Sequence, residues 1–146
     1  MYVLGFDYGN KNIGVALGQS ISRTASPHTT IRRQKGPPWD SIEALIQEWK
    51  PEHIVIGLPL NVDGEEQPIT QAARQFSKTL ENKFKKKYNL QFHFHDERYS
   101  SQAANDLYQK DYEPSGRKSK KQDWDRDSVA AMLILEAWFE SGYLSL

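Results

Sequence analysis

The chain has 146 residues, no cysteine, and 19 basic against 19 acidic side chains, for a formal net charge of zero. That length suits one domain with its own core, so residues 1–146 are expected to form a single folding unit; the lack of cysteine excludes disulfides, zinc–thiolate sites and a cysteine nucleophile. No apolar run nears the roughly 18 residues of a membrane span and the N-terminus lacks a signal-peptide pattern, so a soluble, cytoplasmic chain with no membrane partner is expected.

Residues 2–7 and 13–18 are apolar runs separated by Gly9-Asn10-Lys11-Asn12, a turn-rich tetrad that predicts a β-hairpin with both strands buried. A third strand is expected within 25–33, then a loop at Lys35-Gly36-Pro37-Pro38. Asp40 and Glu43 resemble a capping box ahead of the helical stripe Ile42, Leu45, Ile46 and Trp49, which Pro51 should end. His53–Leu58 reads as a buried strand from its β-branched content, stopped by Pro59 and the polar loop 61–67. An amphipathic helix is expected from about 69 to 88, with Ala73, Phe76, Leu80 and Phe84 inward and Lys83, Lys85, Lys86 and Lys87 on a solvated face. Leu90, Phe92 and Phe94 then alternate with Gln91, His93 and His95, the pattern of a strand with one apolar face. The two histidines have a metal-compatible spacing, but ordinary, partly exposed rings are the simpler reading.

Ser100 or Ser101 can cap a short helix carrying Ala103, Ala104, Leu107 and Tyr108. Residues 111–124 read as a loop rich in basic side chains, and Val129–Phe139 as a largely buried helix before Gly142. The order predicts an α/β fold: a mixed five-stranded sheet with an N-terminal antiparallel hairpin and helices on both faces.

Asp7 is a lone carboxylate at the end of an apolar run, where a bare charge costs several kcal/mol unless it is paired, hydrogen-bonded or bound to a metal. In open α/β sheets ligands gather beyond the carboxyl ends of parallel strands. If the first, fourth and fifth strands are parallel, Asp7 and the pair Asp96-Glu97 share that edge, and Asp127 at the start of the last helix can join them. Three converging carboxylates repel one another, and a divalent cation resolves the conflict. Each acid also has a plainer reading: Asp7 as a turn residue, Glu97 as a partner of Arg98, and Asp127 as a first-turn acid in competition with Asp123 and Asp125.

Four stretches bear on the choice: Asp7-Tyr8-Gly9-Asn10-Lys11-Asn12-Ile13-Gly14-Val15-Ala16, the run from Ile54 to Gly64, Asp96-Glu97-Arg98-Tyr99-Ser100-Ser101, and Asp127-Ser128-Val129-Ala130-Ala131. In this order, and over nearly the whole chain, they resemble the YqgF/RuvX family. The resemblance implies an RNase H-like fold and a metal-dependent nuclease that hydrolyses phosphodiester bonds, in 5′-end maturation of 16S rRNA precursor during ribosome biogenesis. It implies Asp7, Glu97 and Asp127 as the catalytic, metal-ligating triad, with Mg2+ or Mn2+, two ions, as cofactor. Lys11, Arg98, Lys118, Lys120 and Lys121 are the expected nucleic-acid contacts. The expected partners are structured RNA or branched DNA, together with ribosome-assembly or transcription factors.

Two alternatives accompany this reading: a Holliday junction resolvase acting on branched DNA, and a largely non-catalytic protein that binds RNA, the ribosome or a transcription complex. Sugar kinases and chaperone ATPases share the opening Asp-x-Gly hairpin, but they need a second, related domain for which this chain has no room.

Overall fold

A computed structural model describes residues 1–60, 63–96 and 126–141. Five strands, β1 (Tyr2–Tyr8), β2 (Asn12–Gln19), β3 (Thr24–Arg32), β4 (His53–Leu58) and β5 (Gln91–Asp96), form one sheet in the order β3-β2-β1-β4-β5. β1 pairs antiparallel with β2, and β2 with β3. β4 lies parallel to β1, and β5 parallel to β4. The carboxyl ends of β1, β4 and β5 therefore share one edge, as the sequence predicts.

Two helices, α1 (Trp39–Trp49) and α2 (Pro68–Leu80), cover one face, and a C-terminal helix (Arg126–Glu140) covers the other. Strand side chains alternate between faces, and each strand serves two cores. Leu4, Phe6, Ile13, Val15, Ile54 and Ile56 pack with α1 and α2, whereas Val3, Ala16 and Val55 pack with the C-terminal helix. This two-sided burial explains why β1, β2 and β4 read as continuous apolar runs rather than alternating ones.

Three local expectations need correction. The capping box of Asp40 and Glu43 does not form, since α1 starts behind Pro38 with no side-chain cap. Glu43 instead accepts hydrogen bonds from Lys87 Nζ (2.8 Å) and Tyr88 Oη (2.5 Å), which tie α1 to the end of the next helical run. That run is not one α-helix: α2 gives way to a π-helical turn at Glu81–Lys85 and a last turn at Lys86–Tyr88. Finally, β5 does not have one apolar face and one polar face. His93 packs against His53 and Trp138, while Phe94 remains 41% exposed.

The lysines of the helical run behave as a solvated face. Lys87 pairs with Glu43, Lys85 approaches Glu81 at 3.7 Å, and Lys83 lies over the Trp39 ring. The expected short helix at 103–108 and the loop at 111–124 fall outside the described residues. Among the described residues no helix is long and apolar enough to cross a membrane.

Candidate active site

Asp7 is the penultimate residue of β1, half-buried, and stands directly opposite Gly14 of β2. Directly opposed residues carry their Cβ positions on one face, about 4.5–5.5 Å apart. That face is the one under the C-terminal helix, because a Cβ built at Gly5, two residues earlier, would meet Leu135. At Gly14 the approach is closer still: a Cβ there would lie 2.0 Å from the carbonyl oxygen of Asp127 and 3.0 Å from the nitrogen of Ser128. The helix start thus sits on the bare backbone of Gly14, bringing Asp127 beside the strand position that faces Asp7. The two acids are 120 positions apart in the sequence.

Glycine inside a strand often marks a close backbone approach. This signal is present in the Ile13-Gly14-Val15 stretch, although Gly14 carries no chemical group of its own. Gly18 repeats the device farther along, where a Cβ would meet Leu135 and Phe139 at 3.1 Å. The helix therefore runs along a track of small residues, with its N-terminal end at the edge where β1, β4 and β5 finish.

β5 ends at Asp96 on this edge, paired with Leu58. Glu97, the next residue in sequence, lies outside the described residues, as do Arg98, Lys118, Lys120 and Lys121. Lys11 is exposed on the hairpin turn. His95 is level with Gly57, and continuing the β1–β4 register sets Gly57 level with Asp7. The imidazole therefore shares the face under the C-terminal helix, and burial lowers its pKa against the opposing charge of Asp96.

The hairpin turn beside Asp7 is held in place by a residue the sequence reading did not single out. Arg33 Nη1 donates to Tyr8 Oη at 2.7 Å and to the carbonyls of Gly9 and Asn10 at 3.4 and 3.3 Å. Its backbone nitrogen donates to the Lys11 carbonyl at 2.9 Å. On the opposite side, buried Thr70 donates to the Pro59 carbonyl at 2.5 Å and fixes the first turn of α2 against the end of β4. Among the described residues no three His, Asp or Glu side chains form a metal-sized cluster.

The sheet order, the helices on its two faces and the acids at the carboxyl edge define an RNase H-like fold of the kind found in junction-resolving nucleases. Solved structures with this fold include a fowlpox virus resolvase with Holliday junction DNA, with a TM-score of 0.63, 13% identity, and 98% of this chain and 99% of that chain covered. A second is T. thermophilus RuvC with a Holliday junction substrate, at a TM-score of 0.61 and 12% identity, covering 97% and 95% of the two chains. The chain belongs to the RuvX family, described as "Holliday junction resolvase", whose profile matches residues 1–141. Relatives from Escherichia coli O7:K1 and Shigella boydii serotype 18, each named "Putative pre-16S rRNA nuclease", are 43% identical over 143 residues, covering 97% of either chain.

Proposed function

We propose that residues 1–146 form one nuclease domain that hydrolyses phosphodiester bonds in the cytoplasm with the help of divalent metal, acting on ribosomal RNA precursor. The observation that carries this reading is the seat at Gly14, which brings the start of the C-terminal helix, with Asp127, against the strand pair that holds Asp7. Glu97 is the third carboxylate of this reading, on the family resemblance of the stretch Asp96-Glu97-Arg98-Tyr99-Ser100-Ser101. An all-oxygen donor set suits Mg2+ or Mn2+, and Asp7, Glu97 and Asp127 together would hold two such ions. When bound, these ions supply the Lewis acidity that makes water nucleophilic and stabilises the leaving oxygen. The chain's own residues orient that chemistry: β1 fixes Asp7, Gly14 sets the height of Asp127, and Arg33 holds the turn that carries Lys11. Arg98, Lys118, Lys120 and Lys121 join Lys11 in binding the nucleic acid. The name of the relatives supports RNA as the substrate, and the description of the family keeps a four-way DNA junction as the second reading.

The test is single-turnover cleavage of 16S rRNA precursor and of a four-way DNA junction in magnesium, manganese or chelator, using wild type and Asp7→Asn. Metal-dependent cleavage of RNA that Asp7→Asn loses, with binding retained, is expected. Full activity in Asp7→Asn would overturn the assignment, and selective cleavage of the junction would favour the second reading.

A further inference from the structure

We infer that the nucleic-acid strand leaving the active site runs across the ends of β2 and β3, with its phosphates on Lys11, Arg32 and Lys35; this rests on the nuclease reading above. Residues 8–39 contain no acidic side chain and five cations, Lys11, Arg23, Arg32, Arg33 and Lys35. Four of the five gather at the catalytic edge. Lys11 lies in the hairpin turn, Arg32 closes β3 opposite Asn12, and Arg33–Lys35 form the short 3-10 turn that follows. On the other side of Asp7, Asp63 and Glu65 follow β4 and Asp96 ends β5, while Glu66 is paired with Arg74. A polyanion reaching this edge is thus drawn to the β2–β3 side, where residues 8–39 bring cations and no carboxylate.

The local chemistry agrees with the field. Lys11, Arg32 and Lys35 are exposed, and among the described residues none of the three is in an ion pair. Arg33 spends its donors on neutral acceptors, so its charge is retained while it holds Lys11 in place. Beyond Arg32 a groove of about 470 Å³ opens between β3 and α1, lined in part by Thr29, Thr30, Arg32, Lys35 and Ser41, with Glu48 the one acid among the described residues that line it. Hydroxyls and cations in one groove can serve phosphate and ribose oxygens together. Among the described residues β3 is also an edge strand of the sheet, and an edge strand can offer backbone donors and acceptors to a ligand. This route adds cations outside residues 97–125, the stretch that holds four of the five contacts expected from the sequence.

The test is binding of a fluorescent single-stranded RNA to the full chain in chelator over a salt series. It compares wild type, the triple variant Lys11→Ala/Arg32→Ala/Lys35→Ala, and a charge-matched control, Lys78→Ala/Lys83→Ala/Lys86→Ala, on the exposed side of the helical run from α2 to Tyr88. About 0.7 unit of salt slope accompanies each single-strand phosphate contact, so the edge variant should lose about two units of slope and at least about tenfold in affinity. The control should keep the wild-type slope. An unchanged edge variant, or equal losses in both triples, would overturn the route. Cleavage separates this outcome from the nuclease reading: wild type that binds along this surface but does not cut defeats only the latter. A cutting enzyme whose edge variant binds normally defeats only the route.

Discussion

His53 and His93 face each other through their rings, with Nδ1 of His53 2.9 Å from Nε2 of His93, and both rings lie against Trp138. One nitrogen must donate and the other accept, so the contact requires at least one neutral ring and is lost when both are protonated. Burial pushes His93 down to about 4, with the charge of His53 adding to the effect, and burial also lowers His53 against the opposing pull of Glu52. Both groups bind protons more readily unfolded, where histidine titrates near 6.5. Their contribution to stability is thus fully present above that pH and declines as pH falls from about 6.5 toward 4. With the partial solvent access of these rings, the loss between pH 7.5 and 5 should be about 1–2 kcal/mol. Glu136, whose pKa burial raises, acts in the opposite sense, so urea unfolding of wild type should be compared with His93→Gln. The variant should show a flatter pH dependence, and matching slopes would remove the pair from the account.

Gly14→Ala places a methyl group where the backbone of Asp127 already lies, and no rotamer can relieve that contact. The helix start must lift by about 1 Å, an overpacking that should cost about 1–3 kcal/mol. A shift of this size at a reacting group costs about a hundredfold in rate. Gly18→Ala has the side chains of Leu135 and Phe139 as its nearest neighbours, which can shift where backbone cannot. It should lower the melting temperature while leaving single-turnover cleavage within a few-fold of wild type. Full turnover in Gly14→Ala would show that the seat does not align the acids.

Arg33→Ala removes the guanidinium that binds Tyr8 Oη and two turn carbonyls. Hydrogen exchange at the amides of residues 10–12 should quicken, and KM for RNA should rise more than kcat falls, since Lys11 loses its fixed position. Arg33→Lys should recover little, because an ammonium lacks the planar fork that reaches several acceptors at once. Unaltered exchange in Arg33→Ala would exclude this role.

Magnesium or manganese should raise the melting temperature of wild type, because a ligand that binds only the native state stabilises it by mass action. Asp7→Asn should shrink that increase. It should also leave the metal-free protein at least as stable as wild type if the three acids repel one another. Equal metal-induced shifts in the two proteins, followed by scanning calorimetry, would argue against Asp7 as a ligand.

The sequence made most strand limits readable to within a residue or two, because Gly, Asn and Pro punctuate runs whose apolar content is high. It also made Asp7 conspicuous, a charge with no local explanation. Contacts between distant segments were harder to read. Glu43 has the spacing of a cap, but Lys87 and Tyr88 offer stronger donors from a neighbouring helix, and nothing near position 43 announces them. His93 looks solvent-facing by alternation, yet Trp138 arrives from the far end of the chain to cover it. Gly14 was visible only as a small residue within a strand, since the atom that needs its missing side chain belongs to Asp127. Arg33 and Arg32 escaped notice because their meaning depends on where β3 ends relative to the hairpin turn.

The docking of the C-terminal helix on Gly14 also sets a timetable. During synthesis residues 1–96 leave the ribosome first, and they carry all five strands with the face of Val3, Ala16 and Val55 still uncovered. Among the described residues it is the late segment Arg126–Glu140 that hides that face, and the same segment seats Asp127 on Gly14, opposite Asp7. A chain interrupted before this point lacks both the helix that covers Val3, Ala16 and Val55 and an acid the proposed chemistry requires. A proteolytic cut that detaches the helix would return the finished protein to that state.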